Sequence, residues 1–401
     1  LKMKNTWRFT GKELDYLKEV IDSGYASSTV GSMNQRFERA FAEKVGCEFA
    51  ITFNSGTSTL HAALHAFDVH AGDEVIIPPI TVISNFDVVV AQNAIPVFAD
   101  VDPDTFNIDP EDIKRKITSR TKCIMPVSIY GVSCDLDPIM EIGREYSIPV
   151  LNDAAEAFGC VYKNKQMGPI ADVTSYSTEN SKHITTGDGG IIVTNNADFA
   201  MSMRKYGSLG YASMKSTEGR VRIMNKDSFQ DPNYKRHDEL GLNYRMPEVA
   251  AALGLAQTER LNYFLDLRIS IANLYKEAIK NCDYLIPQAI PEGSNNTYWT
   301  FAVKYERTDV TWYEFRKKFI DFGGDGIYAC WALSYEETVV SSGAYKKHCP
   351  QIYQNIDYPR GICPVAEEIQ PKIMQFVTNY GSVSEASQYV EALIKTINYF
   401  D

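Results

Sequence analysis

From Phe49 to about Asn196 the chain alternates short apolar, β-branched runs with stretches in which apolar residues recur every three or four positions. The runs EVIIPP (from Glu74), IPVFADVD (from Ile95), CIMPVSIYG (from Cys123), IPVLND (from Ile148), VTSYS (from Val173) and GGIIVTNN (from Gly189) predict strands, being short and bounded by turn residues. Segments between them, such as PIMEIGREY from Pro138, have helical spacing. Strands and helices in alternation predict an α/β fold, a mostly parallel central sheet flanked by helices. After Tyr206 the pattern is lost: residues 207–240 are polar and rich in Gly, Ser, Asn and Lys, which predicts a long functional loop rather than a linker. Helical spacing returns at Pro247, well placed for a first turn, and predicts one long helix running to Ile279. Beyond about residue 260 helix and strand signals mix. The expected organisation is therefore a large domain over 1–260, with the N-terminal segment, and a smaller C-terminal α+β domain over 261–401.

Composition narrows the class. Of 401 residues, 44% are hydrophobic and 23% charged, as in an ordinary globular protein. No run approaches the roughly 20 apolar residues of a membrane span, so no membrane partner is expected, and the opening residues LKMKNTWRFTGKEL lack the apolar core of a signal peptide. A net charge of -11, with no Lys/Arg-rich run to offset it locally, argues against nucleic acid but leaves room for an anionic small molecule. The eight cysteines (Cys47, Cys123, Cys134, Cys160, Cys282, Cys330, Cys349, Cys363) form no CxxC pair, which suits reduced thiols in a cytoplasmic enzyme. His61 and His65 stand four apart without a third ligand, so no metal is expected.

Open α/β sheets bind ligands beyond the carboxyl ends of their strands, which singles out Asp153, Ser177 and the loop NSGTS from Asn54 to Ser58. In NSGTSTLHAALHAF a small-residue turn opens a helix whose buried stripe is Leu60, Ala63, Leu64 and Phe67. Such a helix start aims free N–H groups and the positive dipole end at one point, suitable for a phosphate, although an ordinary capped helix has the same pattern. Asp153 ends an apolar run and leads into small residues that can pack against a flat ring. A carboxylate there can pair with a pyridinium nitrogen, or simply cap a helix. In SKHITTGDGG, Lys182 follows the strand end at Ser177 by five residues, where it can serve as a Schiff-base lysine for pyridoxal phosphate (PLP) or be a solvated surface lysine.

In this order the segments FERAFAEKVGCEFAITFNSGTSTLHAAL, GDEVIIPPIT, PVFADVDPDTFNIDP, DAAEAFG, SKHITTGDGGIIVTNN, LGLNYRMPEVAAALGLAQTERL and CPVAEEI resemble the DegT/DnrJ/EryC1/StrS family of PLP-dependent sugar aminotransferases over nearly the whole chain. The resemblance implies fold type I, the aspartate aminotransferase fold. It also implies that Lys182 is the cofactor lysine, that Asp153 is the partner of the pyridine nitrogen, and that Glu156 lies near the cofactor 3-hydroxyl, where many members have Gln or His. Gly56, Thr57 and Ser58 match the phosphate turn, Ser177 adds a hydroxyl, and Asn243 in NYRM matches a residue that reaches the phosphate of a neighbouring subunit. The chain departs from the pattern at Val82, where many members stack an aromatic residue on the ring, and at GGDGIYACWAL (from Gly323), where a His- and Pro-containing pattern borders the sugar pocket.

The activity so implied is transfer of an amino group from an amino acid, with glutamate expected, to a keto-sugar, either a nucleotide-linked deoxysugar or a keto-octulosonate. The setting implied is amino-sugar biosynthesis for surface polysaccharides or natural products, by a cytoplasmic homodimer or higher assembly. The alternatives are a PLP-dependent sugar dehydratase of the same fold, which has histidine in place of the lysine, and a non-catalytic regulator. Counting back from GDGG puts Lys182, not His183, at the decisive position.

Overall fold

The computed structural model describes residues 6–219, 227 and 230–401. Seven short strands form the central sheet: β1 (Phe49–Phe53), β2 (Glu74–Ile77), β3 (Ile95–Phe98), β4 (Thr121–Ile124), β5 (Leu151–Asp153), β6 (Val173–Ser177) and β7 (Gly190–Thr194). β3, β2 and β4 pair in parallel, as do β5 and β6, while β7 runs antiparallel between β6 and β1. Parallel bridges Ile124–Val150 and Val127–Asp153 join the two sets, giving the order β3-β2-β4-β5-β6-β7-β1. All five residues of β1, which was not among the predicted runs, and all five of β7 are buried. Such strands read as continuous apolar runs because both faces are covered.

The covering layers follow the helical stripes. One face carries α1 (Glu13–Asp22), α2 (Met33–Val45), α5 (Pro110–Lys116), α6 (Leu136–Tyr146) and α8 (Glu248–Glu259), which contribute Phe37, Phe41, Ile113, Ile139 and Ala252 to one core. The other carries α3 (Gly56–Ala66), α4 (Ser84–Ala91) and α7 (Ala197–Tyr206), with Leu64, Phe86 and Met203 in a second core. A second sheet, order β8-β9-β11-β10, joins β8 (Leu285–Pro287), β9 (Thr300–Tyr305), β10 (Tyr328–Ala329) and β11 (Ile373–Val377) in antiparallel pairs. It packs against α9 (Leu261–Ile279), α10 (Trp312–Asp321) and α11 (Val383–Phe400) through Tyr275, Phe301, Phe319 and Leu393. Leu333, Tyr335, Tyr345, Tyr353 and Ala366, although far along the chain, are buried in the core of the first sheet.

Two expectations change. The long helix predicted from Pro247 to Ile279 is two helices, because Arg260 leaves helical geometry (φ -106, ψ 7). Its guanidinium instead bonds the carbonyl of Arg8 at 3.0 Å and stacks on Phe264. The run from Cys123 is strand only to Ile124, since Pro126 has no N–H for a ladder and the chain turns at Tyr130 (φ 59). The loop predicted over 207–240 is an arm folded back on itself by bridges Tyr211–His237 and Ser208–Asn243. Lys205 ties it down with 2.9 Å contacts to both Asp238 and Glu239. Residues 220–226 and 228–229 of that loop lie outside the described residues.

Candidate active site

At the carboxyl end of β5 the chain must leave the sheet, and Asp153 does so held on both sides. Its N–H donates to Pro126 O at 2.9 Å and its carbonyl accepts from Ser128 N at 2.8 Å. The side chain is buried; Oδ1 accepts from Ala155 N at 3.0 Å and Oδ2 from Asn85 Nδ2 at 3.0 Å. Asn85 is aimed by Thr81, whose hydroxyl donates to its Oδ1 at 2.8 Å. Burial pushes the Asp153 carboxyl above its ordinary range, opposed by these two donors and by the charge of Lys182. Among the described residues no cation stands in ion-pair range of it.

Lys182 lies in the long connection between the antiparallel strands β6 and β7. Thr178 N bonds Gly189 O and Thr186 N bonds Thr178 O, both at 2.9 Å, closing the base of that connection and leaving Lys182, itself only partly exposed, within its bend. Nζ donates to Glu156 Oε1 at 3.1 Å and stands 4.3 Å from the centre of the Trp299 ring. Glu156, buried three residues after Asp153, takes its second bond from Tyr130 N at 3.1 Å. Burial raises its pKa while the Lys182 charge lowers it. His183 goes the other way: it is buried, its Nε2 meets Thr297 O at 2.9 Å, and burial drives its pKa well below 6.5.

α3 supplies the third side. Ser55 is its N-cap and accepts from Ser58 N at 3.0 Å, so the N–H groups of Gly56 and Thr57 are the first-turn donors left over. Two glycines make room for this turn: a Cβ on Gly56 would stand 2.9 Å from Ser177 Cβ, and one on Gly190 would stand 2.5 Å from Ser55 O. A cavity of about 330 Å³ joins the three sides, lined by Gly56, Thr57, Val82, Asp153, Ser177 and Lys182, together with Ser55.

The expected residues do not all share this cavity. Ser58 turns inward, donating to Asn54 Oδ1 at 2.6 Å, and Ser55 takes its place in the wall. Glu156 does not line the cavity and instead accepts from the Lys182 amine. Asn243 is exposed on the arm and does not line the cavity of its own chain. Trp299 and Trp331, which the residue patterns did not select, line the cavity and stack with centroids 5.9 Å apart. Val82, at the position of the missing aromatic, is 40% exposed on the same wall. Trp331 falls in the atypical GGDGIYACWAL segment, which was the available signal; Trp299 immediately precedes β9 in a strand-like run and gave none.

A lysine, a buried carboxylate lacking a cation, and a helix start with two free N–H groups around one cavity are residues that could hold PLP: Asp153 would face the pyridine nitrogen, the N–H groups of Gly56 and Thr57 would take the phosphate, and Lys182 would supply the amine for the aldehyde. Fold and site define a PLP-dependent enzyme of fold type I. A model of the DegT/DnrJ/EryC1/StrS aminotransferase family matches residues 8–392, and the chain belongs to that family. It is 38% identical over 299 residues to the GDP-perosamine synthase of Caulobacter vibrioides, covering 74% of this chain and 75% of that one. Identity to the GDP-perosamine synthase of Escherichia coli O157:H7 is 36% over 296 residues, covering 73% and 75%. Among solved structures, an aminotransferase from Psychrobacter cryohalolentis superposes with a TM-score of 0.86 at 27% identity over 98% of both chains. The protein is thus a PLP-dependent sugar aminotransferase that acts on an amino donor and a sugar acceptor.

Proposed function

We propose that the acceptor is a nucleotide-linked keto-deoxysugar, most closely a GDP-linked one, and that glutamate is the amino donor. Two relatives named GDP-perosamine synthase, each similar over three quarters of the chain, support the acceptor. A keto-octulosonate acceptor finds no such support among them. The observation that carries the chemistry is that Lys182 and Asp153 open on one cavity while His183 is buried away from it, which favours transamination over a dehydratase that needs histidine at the lysine's place.

PLP bound here supplies an electron sink that stabilises negative charge on the carbon next to the transferred nitrogen. Asp153 holds a proton on the pyridine nitrogen through a charge-assisted bond in a site where burial excludes competing water. Gly56 and Thr57 bind the phosphate through backbone N–H groups, with the Ser177 hydroxyl beside them. Glu156 and the Trp299 face orient the Lys182 amine, which takes and returns the proton at the substrate carbon. The two tryptophans narrow the mouth and limit water at that carbon.

We also propose a homodimer or higher assembly in which Asn243 completes the phosphate site of the partner. Its exposed place on the arm, among the exposed Leu209, Leu240 and Leu242, supports this. A cytoplasmic setting is proposed from the nucleotide-linked acceptor and the eight free thiols. Among the described residues no helix is long and apolar enough to cross a membrane. The two-domain division, 1–260 and 261–401, is proposed with one exception to the simple cut, the stretch from Leu333 to Ile369 that packs back on the first sheet.

The holoenzyme tests the reading directly. Glutamate should convert its visible band to the pyridoxamine form, and keto-sugars linked to GDP should restore the band faster than the same sugars linked to UDP or dTDP. A spectrum indifferent to glutamate and to a panel of other amino acids would reject the lysine-based site. Restoration by UDP sugars alone would reject the acceptor.

A further inference from the structure

The lysine loop is held from behind by two arginines that do not line the cavity. Residues 180–183 belong to no helix or strand, yet all four carbonyls accept hydrogen bonds from guanidinium groups. Arg8, in the N-terminal 3-10 turn, sends Nη1 to Asn180 O (2.5 Å) and Nη2 to Lys182 O (2.7 Å) and His183 O (3.1 Å). Arg268, on α9, sends Nη2 to Ser181 O (3.2 Å) and Lys182 O (3.4 Å). Its Nη1 holds Trp299 O (2.7 Å) and Thr378 Oγ1 (3.1 Å). The same arginine therefore fixes both the backbone of Lys182 and the backbone of the tryptophan whose ring lies over the Lys182 amine. Trp299 closes the link by donating its indole N–H to Ser181 O at 3.0 Å. Arg8 is itself anchored, since its carbonyl accepts from Gln257 Nε2 (2.7 Å) and Arg260 Nη1 (3.0 Å).

This arrangement is expensive to keep. Both side chains are buried, and among the described residues neither forms an ion pair; Glu179 is the acidic group whose charge reaches Arg8. Burial pushes Arg8 down to about 10, and burial with the neighbouring Arg8 charge pushes Arg268 down to about 9. Two like charges sharing a buried site without a direct ion pair oppose folding, and apolar side chains would fill the same volume without that cost. The dipoles that offset the charge are the carbonyls of the lysine loop, joined at Arg268 by Trp299 O and the Thr378 hydroxyl.

We propose that Arg8 and Arg268 are positioning residues for Lys182, a two-armed clamp that fixes the carbonyls of 180–183 so that the amine stands between Glu156 and Trp299, with two positive charges held directly behind the lysine loop. The inference rests on Lys182 being the cofactor lysine. Arg8 is the better handle because it sits in a short 3-10 turn, whereas Arg268 sits within a long helix.

The test uses PLP-loaded enzyme. Borohydride reduction followed by mass spectrometry identifies the labelled lysine, dialysis gives the rate of cofactor loss, and titration of the visible band gives its pH midpoint. In Arg8→Met the cofactor should leave about tenfold faster, the scale of losing one charge-assisted hydrogen bond. The band midpoint should also rise by about half a pH unit or more, since a like charge has gone. Arg8→Lys restores the charge without the fork, so its midpoint should return to the wild-type value while the fast loss persists. Wild-type loss rate and midpoint in Arg8→Met would overturn the clamp, however far its melting temperature falls. If Arg8→Met does not fold, Arg8→Lys decides: fast loss at an unchanged midpoint supports the clamp, and a wild-type rate of loss overturns it. Absence of label on Lys182 in the wild-type enzyme would instead strike at the assignment of the cofactor lysine.

Discussion

The floor of the cavity and the arm over residues 207–243 make opposite use of polar side chains. On the floor Asp153 and Glu156 are buried, and their carboxylates bond Asn85, Ala155, Tyr130 and Lys182. On the arm Asn243 is exposed, and Leu240 beside it is 79% exposed. The floor is preorganised by the sheet and can hold a charge where water cannot relax around it, which is where electrostatic catalysis is strongest. The arm has the composition of a surface awaiting a partner. One region can be judged within a single chain; the other acquires its role only if a second copy covers it.

The strongest way to break this contrast is to empty the floor. Lys182→Ala should lower turnover by about 10⁴-fold, the upper range for loss of a positioned acid–base group, while His183→Ala stays within about tenfold of wild type. Steady-state assays that found equal losses would show that the wrong member of the pair had been assigned. Asp153→Asn should retain the fold and lose about a hundredfold in kcat, since an amide keeps the shape but has no preference for a protonated ring nitrogen. Near-normal turnover, with an unchanged circular dichroism spectrum, would remove the electron-sink role.

The arm is tested by mixing. Lys182→Ala and Asn243→Ala subunits, each first shown to be inactive alone, should regain about a quarter of wild-type activity when refolded together in equal amounts. Half of the dimers are then mixed, and each mixed dimer collects both lesions in one site and leaves the other intact. No recovery would mean that Asn243 serves its own chain, and the contrast between floor and arm would disappear.

The smallest expected effect concerns His183, whose pKa is depressed by burial first and by the Arg268 charge second. The native state leaves it neutral, whereas the unfolded chain protonates it below about 6.5. Its contribution to stability is therefore complete above pH 6.5 and lost as the pH falls, by up to about 1.4 kcal/mol for each unit. His183→Gln, which can still donate to Thr297 O, should flatten the acid side of a denaturation series between pH 7 and 5. An unchanged slope would mean that His183 titrates normally.

Much of the fold was legible because it rests on local patterns. Buried strands such as EVII, and the Leu60–Phe67 stripe, announce themselves through spacing, and the small residues around Gly56 mark a helix start. The errors came where a side-chain contact, distant or local, overrode the pattern. Arg260 breaks a sequence that is helical on both sides because it is drawn to Arg8 and Phe264. Ser58 matches the phosphate turn by position, yet its hydrogen bonds are taken by Asn54 and Ser55.

What the sequence determined by itself was the inventory of chemistry and its order along the chain: a helix start with small residues, a strand ending in Asp153, a lysine before GDGG. Spacing along a strand or helix fixes which side chains share a face, and that is enough to place these groups at one end of a sheet. The tertiary structure decided what surrounds them. Trp299 and Trp331 reach the cavity from 117 and 149 positions beyond Lys182, and Arg8 reaches the lysine loop across 174 residues in the opposite direction. No periodicity encodes such meetings, because they depend on how two sheets and their helices pack, and it is that packing which sets the orientation and the potential of the lysine.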